Sequence, residues 1–297
     1  MIDLRRLRVL QVLAEQGTVT ATAAALHLTP SAVSQQLRQL ARDLDVELLH
    51  AEGRRVRLTP AARVLLDHAD TLAAQWERAR ADLAAHRHER IAGTLRICAV
   101  SSAIAALLAR ATTDLRRRHP RLRVHLREEE SADCYELLLA DEADLAVVLP
   151  TPDAPPVTDP RFEQHPLLED PQDLLVPRGH RLDRPDGVPL AEAAGESWIV
   201  KPHNNDTYAL LTVACAAAGF TPRITHHAKE WFAVSALVAE GFGVCLLPRL
   251  VPVPAEHAVV RIPLRGRPLP SRRFVACVRR GSTEHPVVAA GLAALTT

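Results

Sequence analysis

TVTATAAALHLTPSAVSQQLRQLARDL, residues 18–44, predicts two short helices joined by a tight turn. Thr29 is a suitable N-cap and Pro30 fits the first turn of a helix, so the second helix begins there. Apolar residues recur in that helix at steps of three or four and form one stripe: Val33, Leu37, Leu40 and Leu44. The opposite face is polar and basic, with Ser34 at its flank: Ser31, Gln35, Arg38 and Arg42. The stretch therefore predicts a helix-turn-helix whose second helix enters the major groove of DNA.

The neighbouring segments complete a predicted DNA-binding domain over residues 1–59. A helix is predicted over residues 4–16, and Gly17 is placed to end it. Residues 46–58 contain a turn signal between two short apolar stretches, followed by three arginines: Arg54, Arg55 and Arg57. A hairpin with arginines at its tip is typical of a wing that contacts phosphates beside the groove. Pattern alone leaves two alternatives open, a helical bundle without a partner and a solvated basic turn.

A long helix is predicted from Thr59-Pro60 to about Arg90, and the hinge that follows ends a linker over residues 60–92. Apolar residues follow an a/d heptad pattern along this helix: Leu65, Ala69, Leu72, Trp76, Ala79 and Leu83. This pattern predicts a dimerisation helix. A dimer matches the two half-sites, about one helical turn apart, that helix-turn-helix proteins bind.

Composition places limits on the class of protein. The 297 residues are 47% hydrophobic and 24% charged, which is typical of a globular chain, and the net charge is only +1. A local basic excess is found in residues 1–66, where nine arginines face six acidic residues. The five cysteines lack CxxC spacing, and no apolar run approaches 18 residues. We therefore expect a reduced, cytoplasmic protein with no membrane span and no metal or other cofactor.

Strands and helices alternate after the hinge, which favours parallel, doubly wound sheets over residues 93–297. The predicted strands cover residues 94–100, 122–127, 144–150, 173–177, 197–201 and 244–248. The predicted helices cover residues 102–119, 132–140, 207–218 and 231–240. A proline-rich stretch at 151–160 separates two similar lobes. Such sheets bind ligands beyond the carboxyl ends of their strands, where helix N-termini point into the crevice.

The candidate effector-binding residues lie at those positions: Ser101, Ser102, Glu130, Ser131, His203, Asn204, Asn205 and Thr207. For Ser102, Ser131 and Asp206 the alternative is a simple N-cap. The adjacent Glu129 and Glu130 would disfavour a strongly anionic ligand from their side.

Several sequence motifs resemble those of the LysR-type transcriptional regulators. The resemblance begins with AEQGTVTATAAALHLTPSAVSQQLRQLARDLDVELL (14–49) and GRRVRLTPAA (53–62). It continues through GTLRI (93–97), HPRLRV (119–124), DLAV (144–147), AAGF (217–220) and GFGVCLLP (241–248). It implies a winged helix-turn-helix, a linker helix and a two-lobed α/β effector domain that is similar to periplasmic binding proteins. It also implies that lobe I comprises residues 93–160 and 268–297, and lobe II residues 161–267.

The resemblance also implies functional residues. The groove contacts of the family fall on Pro30, Ser31, Ser34 and Gln35. Arg38 then contacts a phosphate or a base, and the wing carries Arg54, Arg55 and Arg57. Gln35 replaces a frequent Arg, and Gln favours adenine where Arg favours guanine.

Three further departures replace a Gly, an Arg and a Gly of the family, respectively: Asp45, Ala51 and Glu129. Asp45 requires either a strained, left-handed backbone or a different type of turn after the recognition helix. Ala51 removes one expected phosphate contact, and Glu129 makes the cleft more crowded and more acidic.

The leading function is thus a regulator that binds a pseudo-palindromic promoter site and responds to a small-molecule effector. An enzyme is disfavoured, because GxSxG, P-loop and HExxH motifs are absent and GFG at 241–243 is not a dinucleotide fingerprint. A thiol-based redox regulator on the same scaffold remains open, and it requires two cysteines that can meet. A solute-binding protein without a regulatory role would leave the helix-turn-helix unexplained.

Overall fold

The computed structural model describes residues 4–52, 55–86, 91–151, 154–202 and 206–296. The chain forms two compact units, Met1–Arg80 and Ala81–Thr297. Each unit has its own hydrophobic core.

The first unit is a winged helix-turn-helix, as predicted. Its helices are α1 (Leu4–Gln16), α2 (Val19–Ala25), α3 (Pro30–Leu44) and α4 (Pro60–Ala85). Its wing is an antiparallel hairpin of β1 (Leu49–Glu52) and β2 (Arg55–Leu58). The Thr29 hydroxyl accepts a hydrogen bond from the amide of Ala32 at 3.2 Å, which confirms the predicted N-cap of α3.

The core of this unit joins α1 to α3 and the wing. Leu10, Val33, Leu37, Leu40 and Leu48 are all at most 3% exposed. Burial of one such side chain stabilises the fold by about 1.5–3 kcal/mol. The predicted apolar stripe of α3 therefore packs against the rest of the unit. The polar face of α3 points to solvent.

The second unit contains an eight-stranded sheet and a two-stranded one. The strands are β3 (Gly93–Ala99), β4 (Leu122–Glu128), β5 (Leu145–Val148), β6 (Phe162–Pro177), β7 (Val188–Pro189), β8 (Ser197–Val200), β9 (Arg223–His227), β10 (Cys245–Pro248), β11 (Val259–Arg265) and β12 (Ser271–Arg279). The order in the large sheet is β4-β3-β5-β12-β6-β11-β7, and β10 also pairs with β6, whereas β8 pairs with β9.

Helices cover both lobes of this unit. They are α5 (Ser101–Ala103), α6 (Ala109–Arg118), α7 (Ser131–Leu139), α8 (Asp206–Ala217), α9 (Trp231–Ala239) and α10 (Pro286–Leu295). A π-helical segment, Ile104–Leu108, joins α5 to α6, so the single α-helix predicted at 102–119 contains one wider turn. Two apolar clusters pack on opposite sides of the lobe I sheet, and two more lie in lobe II.

The long strand β6 corrects two expectations. Its first part, to Pro171, pairs with β12, and the part from Gln172 pairs with β10 and β11. The predicted strand at 173–177 is thus only its end, and the expected lobe boundary at 161 lies well before the change of partner. The expected parallel pairing holds for β3, β4 and β5 and for β8 and β9, whereas β6 and β12 run antiparallel because they carry the chain between lobes.

Candidate functional site

The outward face of α3 presents the predicted groove residues together. Pro30, Ser31, Gln35 and Arg38 are exposed, and Ser34 is half-buried. Among the described residues Arg38 has no ion-pair partner, whereas Arg42 donates a 2.6 Å hydrogen bond to Gln39. The free guanidinium therefore lies on the polar face of the helix where a phosphate or a base edge would meet it.

A groove of about 530 Å³ separates α3 from the wing. Ser34 and Arg38 line this groove, together with the apolar side chains of Leu37, Ala41 and Val56. The recognition helix and the wing strand thus lie on different sides of one groove.

The wing is described in part. Arg57 is exposed on β2 and lies opposite His50 in the hairpin register. Arg54 falls outside the described residues, and for Arg55 only the backbone is described, at the start of β2. The antiparallel pairing of β1 with β2 confirms the predicted hairpin, but the roles of its arginines stay predictions.

The apolar heptad residues of α4 that were predicted to form a dimer contact, here called the seam, fall into two groups. Leu65 and Ala69 pack against the core of the first unit, which corrects the expectation that they lie free for a partner helix. Beyond that core the same stripe is exposed, at 50% for Leu72, 60% for Trp76 and 66% for Leu83, with Ala79 half-buried. The helix extends past its own domain, so only this second part is open for association.

Two buried serines lie at the predicted cleft of lobe I. The Ser102 hydroxyl oxygen accepts a 2.9 Å hydrogen bond from Nη2 of Arg272, and that of Ser131 accepts one of 3.0 Å from the amide of Leu149. Neither side chain caps its helix, since the N-caps are Val100 and Glu130. The capping alternative is therefore wrong for both serines. Each keeps its hydroxyl hydrogen to donate to an acceptor.

The other residues predicted for the cleft differ in exposure. Ser101 is half-buried and Glu130 is exposed. Glu129 accepts a 2.7 Å hydrogen bond from Nε of Arg127, so its charge is offset and the expected repulsion of anions from that side is weakened. In lobe II, Thr207 is buried at the start of α8, whereas His203, Asn204 and Asn205 lie outside the described residues.

Three buried charged residues of the effector-domain unit were missed by sequence reasoning. Lys201 follows β8, is 8% exposed and has its Nζ 5.0 Å from the centre of the Trp231 ring. Its position at the end of a predicted strand, as one of two lysines in the chain, was an available signal. Arg272 and Asp170 form a buried ion pair at the junction of the lobes. These two residues lie 102 positions apart, and no local pattern joins them.

The five cysteines are all buried. Cys215 and Cys245 lie in different clusters of lobe II, and burial raises the pKa of each thiol to about 12. Cys98 and Cys134 are neighbours in lobe I, where their contact and burial raise the pKa of Cys134 above its ordinary value. Cys98 and Cys134 thus meet, as the redox alternative requires, but a thiol buried away from solvent is a poor nucleophile, so burial counts against that alternative.

Family models match most of the chain. Residues 88–297 match the LysR substrate binding domain, and residues 4–63 match the bacterial regulatory helix-turn-helix protein of the lysR family. No helix within the described ranges is both long and apolar enough to span a membrane.

Known proteins resemble the chain over nearly its whole length. The transcriptional dual regulator GltC of Bacillus subtilis is 27% identical over 249 residues, which are 83% of this chain and 81% of GltC. The HTH-type transcriptional regulator ShiR of Corynebacterium glutamicum is 26% identical over 285 residues, 94% of this chain and 93% of ShiR. A full-length OxyR variant from Pseudomonas aeruginosa shares the fold, with a TM-score of 0.65, 20% identity and coverage of 99% of this chain and 95% of that one. The chain therefore belongs to the LysR family of DNA-binding transcriptional regulators, with an N-terminal helix-turn-helix and a C-terminal effector-binding domain.

Proposed function

We propose that the protein binds a pseudo-palindromic promoter site as a dimer or as a tetramer built from dimers. The exposed polar face of α3, from Ser31 to Arg38, is the observation that carries this proposal. In it Ser31, Ser34 and Gln35 contact base edges, while Arg38 and the wing arginines contact the backbone. The exposed stripe of α4 joins two copies, so two recognition helices meet two half-sites.

A gel-shift titration with the protein's own upstream promoter fragment tests the proposal. We expect preference for that fragment over random DNA of equal length, and affinity that falls steeply as salt is raised, because phosphate contacts release counterions. Equal affinity for both DNAs would refute sequence-specific regulation. A salt-independent affinity would contradict the assigned role of the arginines.

We further propose that a small molecule with acceptor oxygens, a carbonyl or carboxylate compound, binds in the cleft between the lobes. Its support is the pair of buried hydroxyls, Ser102 and Ser131, whose oxygens already accept hydrogen bonds and whose hydrogens remain to be donated. Thr207 is the described residue of lobe II that belongs to this site in the proposal.

Thermal-shift screening of small metabolites against the full chain tests the cleft. A compound that binds the folded state raises the melting temperature by mass action. We expect Ser102→Ala and Ser131→Ala to reduce that shift, and Thr113→Ala, a change on α6 away from both serines in sequence, to leave it unchanged. A shift that both serine variants preserve would place the ligand elsewhere.

A further inference from the structure

The junction of the lobes contains a carboxylate that is bound from two directions. Asp170 is fully buried near the point where β6 changes partners. Its Oδ2 accepts a 3.0 Å hydrogen bond from Nε of Arg272 on β12, and Nη2 of the same guanidinium lies 3.0 Å away. Its Oδ1 accepts a 3.0 Å hydrogen bond from the amide of Leu250.

These contacts lead to different parts of the domain. Arg272 continues to Ser102 in lobe I through Nη2, and its guanidinium lies 5.0 Å from the centre of the Phe274 ring in the lobe I core. Leu250 follows β10, a strand of lobe II, and its side chain packs against the lobe I core. One carboxylate thus connects the start of the helical segment at Ser102, both crossing strands and the segment that follows β10.

Burial holds the ion pair of Asp170 and Arg272 in one arrangement. The side chains of Asp170 and Arg272 are 0% and 6% exposed, so neither charge can exchange its partner for water without a large desolvation penalty. A planar guanidinium also fixes the angles of the groups that it contacts. A continuous chain of hydrogen bonds therefore links Ser102, through Arg272 and Asp170, to the amide of Leu250.

We propose that Asp170 and Arg272 are positioning residues that set the angle between the two lobes and transmit to it the occupancy of the cleft at Ser102. The inference rests on the proposed function, since Ser102 is a residue of the proposed effector cleft. It adds a specific route by which a ligand in that cleft changes the shape of the effector domain.

The chain offers a matched control one position away. Glu169 and Arg273 are register partners on the same two strands, and they form a 3.2 Å ion pair with side chains 62% and 61% exposed. Water screens that pair and replaces its contacts readily. Replacing it alters the same strands and the same net charge as replacing the buried pair, without touching Ser102 or Leu250.

Distances between spin labels on the full chain test the proposal. Labels are attached at Arg110→Cys on α6 and Val213→Cys on α8, both exposed positions, in lobe I and lobe II respectively. The native cysteines are buried and need no removal. Labelled protein is diluted with unlabelled protein so that only distances within one chain contribute.

We expect one narrow distance distribution for the otherwise unchanged protein and for the control Glu169→Leu/Arg273→Met. The charge-free variant Asp170→Leu/Arg272→Met should shift the distribution or widen it markedly. Ser102→Ala should change it in the same direction by a smaller amount, because it removes only the lobe I end of the route. If Asp170→Leu/Arg272→Met gave the same distance distribution as the control, the positioning role of the buried pair would be overturned. An unchanged distribution for Ser102→Ala would overturn the proposed route from Ser102 to the lobe angle.

Two further measurements keep the result interpretable. If the double variant does not fold, Arg272→Lys replaces it, because one ammonium cannot hold Asp170 and Ser102 as the guanidinium fork does. The same widening is expected, and its absence counts against the proposal. Gel shifts with the promoter fragment are run on every variant, so failure of DNA binding is seen separately from a failure of the lobe geometry.

Discussion

Gln35 stands on the exposed face of α3, where an amide can pair with an adenine edge in the major groove. We expect Gln35→Ala to relax base preference at one position of the site, at a cost of about 1–3 kcal/mol there. Arg57→Ala on the wing should instead weaken binding to all sequences alike, because phosphates carry no sequence information. Gel shifts with single-base variants of the site, at fixed salt, separate the two. Identical behaviour of both variants would contradict the division into base and phosphate contacts.

Asp45 ends α3 in the left-handed conformation, with φ 52° and ψ 43°. Of the two possibilities for an Asp where the family has Gly, the strained, left-handed backbone is thus the correct one, and a different type of turn is wrong. A side chain in this region costs free energy that Gly avoids, and a carboxylate at a helix C-terminus opposes the helix dipole. We expect Asp45→Gly to increase the free energy of unfolding of the first unit by about 1 kcal/mol. Urea denaturation followed by circular dichroism measures it.

Asp45→Asn separates the two causes, since it removes the charge and keeps a side chain that tolerates the left-handed region. We expect it to give part of the gain of Asp45→Gly. A loss of stability in Asp45→Gly would mean that the aspartate makes a favourable contact that outweighs its backbone strain.

The exposed half of α4 carries the association that we propose. Leu72 and Trp76 are 50% and 60% exposed, an arrangement that favours a partner helix. We expect Leu72→Gln/Trp76→Gln to raise the dissociation constant of the dimer by about tenfold or more, because burial of each such side chain contributes about 1.5–3 kcal/mol. Sedimentation velocity measures the dissociation. Asp67→Asn, exposed on another side of the same helix, is the control, and an equal effect of both changes would contradict the seam.

The elements that local patterns predict correctly are those whose signals lie within a few residues. In α3 a cap, a proline and an apolar period agree, and the helix begins and ends where they indicate. The first part of β6 has no such signal, because charged residues and prolines interrupt it and its stability comes from pairing with β12. The short edge strand β9 is half-exposed and polar, and local patterns do not predict it either.

At the scale of the whole molecule, all five thiols are enclosed within the effector-binding unit. We expect mild peroxide treatment to leave the affinity for the target site unchanged, because burial keeps the thiols out of contact with the oxidant. A gel shift before and after treatment measures this, with dithiothreitol-treated protein as the control. A reversible change in affinity would revive the redox alternative and direct attention to Cys98 and Cys134.

By itself, the sequence determined the family, the winged helix-turn-helix and the polar face of α3 that we propose for DNA contact, because caps, turns and helical periods are set by residues close together in the chain. Only the tertiary structure decided which part of α4 is free and how the lobes are joined. Arg272 meets Asp170 across 102 positions and Ser102 across 170. Such contacts follow from the pairing of strands that are distant in the chain, and local residue patterns do not predict that pairing.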